Sequence, residues 1–181
     1  MTFQQKLMII TAIAVVIAGL VLRRRSVARP SSVSLRSRFG GRVATWLTVV
    51  AAALLIVGIV SHTVLRHVIQ IAPLLAALGL LLRRSAWGVS AAAPLFAFWF
   101  LITCAIWLFL LGVARIVTGT FTPAEITLTV MIGAASLLGL GTAYRRGTTI
   151  PIVARLGTVT AFAVLQFAAM WLSAQPFVAR R

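Results

Sequence analysis

SHTVLRHVIQIAP, residues 61–73, interrupts an apolar run that otherwise extends from Ala44 to Leu82. One unbroken helix over those residues would be about 60 Å long at 1.5 Å per residue, twice the hydrocarbon layer of about 30 Å. The chain therefore turns inside the stretch, and a span lies on either side of it. That reading makes the chain an all-α, polytopic membrane protein.

Composition leads to the same class. The chain has 181 residues, of which 61% are hydrophobic and 10% charged, with a mean hydropathy of +1.09. A soluble core of this size cannot bury that much apolar surface, so lipid is its solvent. Apolar runs long enough, or nearly so, to cross a bilayer recur about six times, giving expected spans at about 4–22, 43–60, 65–82, 90–114, 123–143 and 150–174. Residues 1–181 form a single transmembrane domain. The first run ends in Arg23, Arg24 and Arg25 and not in small residues, which marks a retained span and not a cleaved leader.

The net charge of +16 comes from arginines set against one acid, Glu125. In a soluble protein that balance suggests nucleic acid. Here the cations sit at the ends of apolar runs, where the positive-inside rule and anionic headgroups account for them, so no nucleic-acid partner is expected. The linkers at 23–42, 83–89 and 144–155 carry seven, two and three arginines, while Lys6, Arg66, Arg115, Arg180 and Arg181 fall on the other side. Twelve cations against five make the first set cytoplasmic and put both termini on the outer side.

Arg23, Arg24, Arg25, Arg83, Arg84, Arg145 and Arg146 are thus candidates for lipid-headgroup binding. The basic linker 23–42 is expected to lie on the inner leaflet or to dock an acidic partner. The inward-ending spans finish GLVLRR (19–24), GLLLRR (79–84) and GLGTAYRR (139–146), a weak repeat of helical hairpins. Arginine in place of lysine and alanine-rich runs suggest a GC-rich bacterial genome, and hence a bacterial inner membrane.

Inside the bundle, Ala135, Gly139 and Ala143 recur at four-residue spacing, which allows close helix approach and makes the fifth span central. Phe96, Phe100, Thr103 and Trp107 form a stripe on the fourth span that is expected to face lipid tails or anchor at the interface, the alternative being to line a hydrophobic ligand pocket or stack on a flat cofactor. Pro73 is placed to bend the third span, and Pro94 and Pro151 near helix starts. Gln166, deep in the last span, needs a polar partner.

The opening stretch holds both histidines. His62, Arg66 and Gln70 share one face of a helix, and His67 lies about 140° from His62. That separation suits neither two axial ligands on one haem nor a helical metal pair. The HxxxxH spacing resembles the first histidine box of membrane desaturases, whose chemistry requires several boxes. A single acid excludes carboxylate pairs and acidic metal cages, and a single cysteine, Cys104, excludes an intrachain disulfide. No metal and no cofactor are expected.

In TFTPAE, residues 120–125, Thr122 is an N-cap, Pro123 the first helical residue and Glu125 the closing member of a capping box. Glu125 is also within reach of Arg66 or Arg115 for an ion pair. His62, Arg66, His67, Gln70, Arg115 and Glu125 make up the candidate ligand site, net positive and suited to an anionic headgroup or carboxylated ligand.

The expected role is a non-catalytic subunit or carrier that binds a lipophilic or anionic ligand near its outer face and docks to another membrane protein, or to its own copy, through its basic side. An enzyme or redox subunit acting on lipid or quinone through His62 or His67 is the alternative. An assembly subunit of a larger complex is the third reading.

Overall fold

The computed structural model describes residues 2–23, 33–114, 119–146 and 150–179. Their regular structure is helical: α1 (Phe3–Arg23), α2 (Val33–Val60), α3 (Val64–Leu82), α4 (Gly88–Leu110), α5 (Pro123–Arg145), α6 (Ile152–Ser173) and the short α7 (Pro176–Ala179). In α2 to α6 lie five segments long and apolar enough to cross a membrane, the character of an integral membrane protein, and the apolar part of α1, Gln4–Leu20, is shorter. α2 begins at Val33 and not at 43, so the second half of the basic linker is helical backbone. α4 ends at Leu110 and not at 114.

The interrupting stretch is a turn, and its geometry is specific. Thr63 N donates to Gly58 O at 2.8 Å and His62 N to Ile59 O at 3.2 Å, the paired bonds of a Schellman motif. His62 occupies the left-handed position, with φ 54°, where glycine is usual. α3 ends the same way, with Ser85 N on Leu80 O, Arg84 N on Leu81 O and Arg84 at φ 55°. Gly112, at φ 72°, closes α4 with the same pair of bonds. Three helix ends thus share one solution to their orphan carbonyls.

Short turns and close contacts alternate the helix directions. A Cβ on Gly19 would lie 3.8 Å from Leu156, which pairs the end of α1 with the start of α6. Gly88 meets Leu81 where α3 hands over to α4. Arg42 and Arg145 line one groove, so the start of α2 lies beside the end of α5. The ends of α1, α3 and α5 and the starts of α2, α4 and α6 therefore gather at one end of the bundle, together with Arg42, Arg83, Arg84, Arg145, Arg146 and Arg155.

The core differs from the expectation in two respects. α4, not α5, is the most enclosed helix: residues 88–99 are all buried, and α4 touches α1, α2, α3, α5 and α6. Phe96 and Phe98 are fully buried. The stripe drawn through Phe96, Phe100, Thr103 and Trp107 does not face lipid along its length, because Phe96 and Thr103 are buried and the other two half-buried.

The small residues of α5 explain this. A Cβ at Gly139 would collide with the ring of Phe96, and one at Gly133 would sit 2.8 Å from Thr103 Cγ2. Ala135 and Ala143 are buried on the same face. Pro73 lies inside α3, which continues through it, and Pro94 is well inside α4, not at its start, so Ser90 O loses its helical donor there. Pro151 is the N-cap of α6.

Candidate functional site

Of the residues expected to form a site, those among the described residues are gathered at the end opposite the arginine-rich one, but they do not converge on one point. His62 stands in the turn before α3, exposed, so it shares no helical face with Arg66 and Gln70. His67 is half-buried and folds back on its own turn. Its Nδ1 lies 3.2 Å from Thr63 Oγ1 and 3.1 Å from Thr63 O, and its Cβ side packs against Gly58 of α2, where a side chain would meet it at 2.8 Å. Thr63 Oγ1 is in turn 2.6 Å from Ser61 Oγ. The polar atoms of the turn thus bond largely to one another.

Gln70 faces away from the turn, toward α6. Its Nε2 donates to Ser173 Oγ at 2.9 Å, and Ser173 Oγ donates to Met170 O at 2.8 Å. About two turns deeper along α6, Gln166 is fully buried and its Nε2 donates to Gln70 O at 3.3 Å. Its Oε1 is buried without a hydrogen bond. The partner that Gln166 needed is therefore a backbone carbonyl of α3, and the α3–α6 seam is a polar ladder inside the bundle.

Glu125 closes the capping box. Thr122 N donates to Glu125 Oε2 at 2.8 Å, Thr122 Oγ1 donates to the same oxygen at 2.9 Å, and Glu125 N donates to Thr122 Oγ1 at 3.3 Å. Pro123 is the first helical residue. Among the described residues no ion pair joins Glu125 to Arg66. Arg115 lies outside the described residues, as do Arg24 and Arg25 and the side chain of Arg23.

Arg66 is the member of the group left over. It is half-buried in the first turn of α3, and its Nε is buried without a hydrogen bond. A guanidinium so placed loses water on one side and gains no acceptor in exchange, a costly state unless an anion completes it. Its planar fork matches a carboxylate or a phosphate.

At the arginine-rich end, Arg83, Arg84 and Arg145 are exposed and Arg146 half-buried. Sequence reasoning missed Arg42, which lines a groove of about 400 Å³ with Trp46 and Arg145. It also left Arg155 among the linker cations, whereas only 4% of that side chain is exposed. The signal was present, because Arg155, Val159, Ala163, Gln166, Ala169 and Ser173 are the buried residues of α6 and recur every three or four positions. Following Gln166 back along its own face reaches Arg155.

Among the described residues no three of His, Cys, Asp and Glu come together. No protein-family model, no curated protein and no solved structure matches the chain.

Proposed function

We propose that the chain is a non-catalytic, six-span component of a bacterial inner membrane, a small subunit or carrier. It binds a lipophilic or anionic ligand near its outer face and docks to a partner membrane protein, or to its own copy, through its basic end. On this reading α1 is the sixth span and both termini face outward, since the described arginines crowd the end where α1, α3 and α5 finish.

The observation that carries the proposal is Arg66, a half-buried guanidinium whose Nε is dry and unbonded beside a turn whose other polar atoms bond among themselves. The sole acid of the chain is engaged in a helix cap, so an anion from outside the chain is the chemical complement of Arg66. His62, exposed on the turn, supplies a second adjustable donor. The enzyme reading draws less support, since His67 Nδ1 is held by Thr63 and His62 stands apart from it.

Native mass spectrometry of the protein, extracted gently from its own membrane, tests this. The wild type retains a small anionic or lipophilic molecule, and Arg66→Ala loses about tenfold or more of it, the scale of one lost charge-assisted pair, while remaining folded. Equal retention by the folded variant rejects the outer site.

A further inference from the structure

The groove shared by Arg42 and Arg145 runs between α2 and α5 and has a volume of about 400 Å³. Its lining residues are ordered by depth. Arg42 stands at the start of the apolar part of α2, Gly41–Val60, and Arg145 is the last residue of the α5 span, Pro123–Arg145. The two arginines therefore face one groove from two helices, at the level where both spans leave the hydrocarbon. About one turn further in lie Trp46 on α2 and Gly141 on α5, and about one turn beyond Gly141 lie Leu137 and Leu138. The groove is cationic at its mouth, aromatic just below and apolar inside.

Nothing from the chain fills the inner part. Leu137 and Leu138 are about half exposed, and a Cβ built on Gly141 meets no atom within 4 Å. The threonine hydroxyls along the groove donate to their own helices, Thr45 Oγ1 to Gly41 O at 2.9 Å and Thr142 Oγ1 to Leu138 O at 2.7 Å. Recognition at the mouth thus falls to the arginines. Both interact within the chain as well, and a guanidinium with five N–H donors can keep such a contact while holding a phosphate oxygen. Two permanent positive charges on the lips of one groove favour an anion between them. Trp46, one turn below Arg42, sits where indoles collect, at the boundary between headgroups and tails.

We infer that this groove binds one anionic membrane phospholipid, with its phosphate between Arg42 and Arg145 and an acyl chain along Trp46, Gly141, Leu138 and Leu137. The order of groups along the groove selects this occupant. Charge lies at the interface and an apolar floor runs inward from it, which matches a headgroup followed by a tail, whereas a free phosphate would use the mouth and leave the floor empty. The exposed leucines let a chain enter sideways from the bilayer. The site lies at the opposite end of the bundle from Arg66 and depends neither on the outer ligand nor on the docking of a partner.

The test is native mass spectrometry of the full chain in detergent, with phosphatidylglycerol and phosphatidylcholine of identical acyl chains at equal concentration. The wild type takes phosphatidylglycerol as its first lipid in about tenfold preference or more, the scale of two basic side chains acting on one anionic headgroup. Arg42→Gln combined with Arg145→Gln brings that ratio near parity. Arg83→Gln combined with Arg84→Gln removes the same charge from the same end of the bundle and keeps the preference. Gly141→Leu fills the floor and lowers first-lipid occupancy for both headgroups with the arginines intact. A wild type without preference overturns the inference, as does a preference that survives loss of Arg42 and Arg145 or that falls equally with loss of Arg83 and Arg84. Should the Arg42 and Arg145 variant fail to give a monodisperse protein, Gly141→Leu decides, and unchanged first-lipid occupancy in that variant overturns it.

Discussion

The α4–α5 and α3–α6 interfaces lie in the same bundle and are held by different physics. Between α4 and α5 a ring fills the space left by a missing side chain, Phe96 over Gly139, with Gly133 doing the same for Thr103. Between α3 and α6 the contacts are hydrogen bonds, Gln70 to Ser173 and Gln166 to the Gln70 carbonyl. Lipid offers no hydrophobic push between helices, so a membrane bundle relies on close packing and polar contacts. The two interfaces divide these means between them. Packing is unforgiving, because a ring cannot shrink, whereas an amide removed from one helix leaves the other helix's carbonyl still bonded within its own backbone.

The comparison can be broken at its strongest point first. Gly139→Ala places a methyl group into the Phe96 ring and lowers stability by about 1–3 kcal/mol, read as a fall in the thermal midpoint of the protein in detergent. Adding Phe96→Leu to that variant recovers part of the loss, since a smaller side chain makes room for the new methyl. An unchanged midpoint for Gly139→Ala would show that the interface is looser than its geometry.

A local interaction outside both interfaces provides the scale. Thr122→Ala removes the side-chain bond to Glu125 N and one of the two bonds to Glu125 Oε2, and costs about 1 kcal/mol by the same measurement. The smallest effect is expected from Gln166→Leu, about 0.6 kcal/mol. The lost bond to Gln70 O is offset by removal of a buried, unbonded Oε1. If Gln166→Leu proves costlier than Gly139→Ala, polar contacts and not packing hold this bundle, and the order of the two interfaces is reversed.

What was legible in the sequence follows from the range of each interaction. The capping box was read correctly from Thr122, Pro123 and Glu125 because every atom in it belongs to one helical turn. The turn at residues 61–63 was read from length, since no helix of that extent fits across a bilayer, and from the polar interruption that marks its place. The polar ladder was half legible. Gln166 announced that it needed a partner, but the partner, a carbonyl of α3, is far away in sequence and identical in type to every other carbonyl.

Much less of the candidate site could be read. Helical spacing placed His62 on a face with Arg66 and Gln70, yet a left-handed C-terminal motif holds His62 off the helix altogether. Gln70 was grouped with Arg66 by that spacing and His67 by proximity in the chain, and packing turned them toward α6 and α2. Arg155, one of three arginines in its linker, carried no mark of burial beyond its three-and-four spacing to Gln166.

The sequence by itself determined that this chain is helical and suited to a membrane, where its helices other than the start of α2 begin and end to within a few residues, and which end collects the arginines. Those properties depend on hydropathy, length and local capping. Only the tertiary structure decided that Phe96 is core and not lipid-facing, that α4 is the enclosed helix, that Arg66 Nε is left without an acceptor and that Arg42 and Arg145 share a groove. The physical reason is the solvent. In water an apolar face must point inward and a periodic pattern reveals it. In lipid both the core and the surroundings are apolar, so inside and outside look alike in composition and are separated only by which side chains fit together.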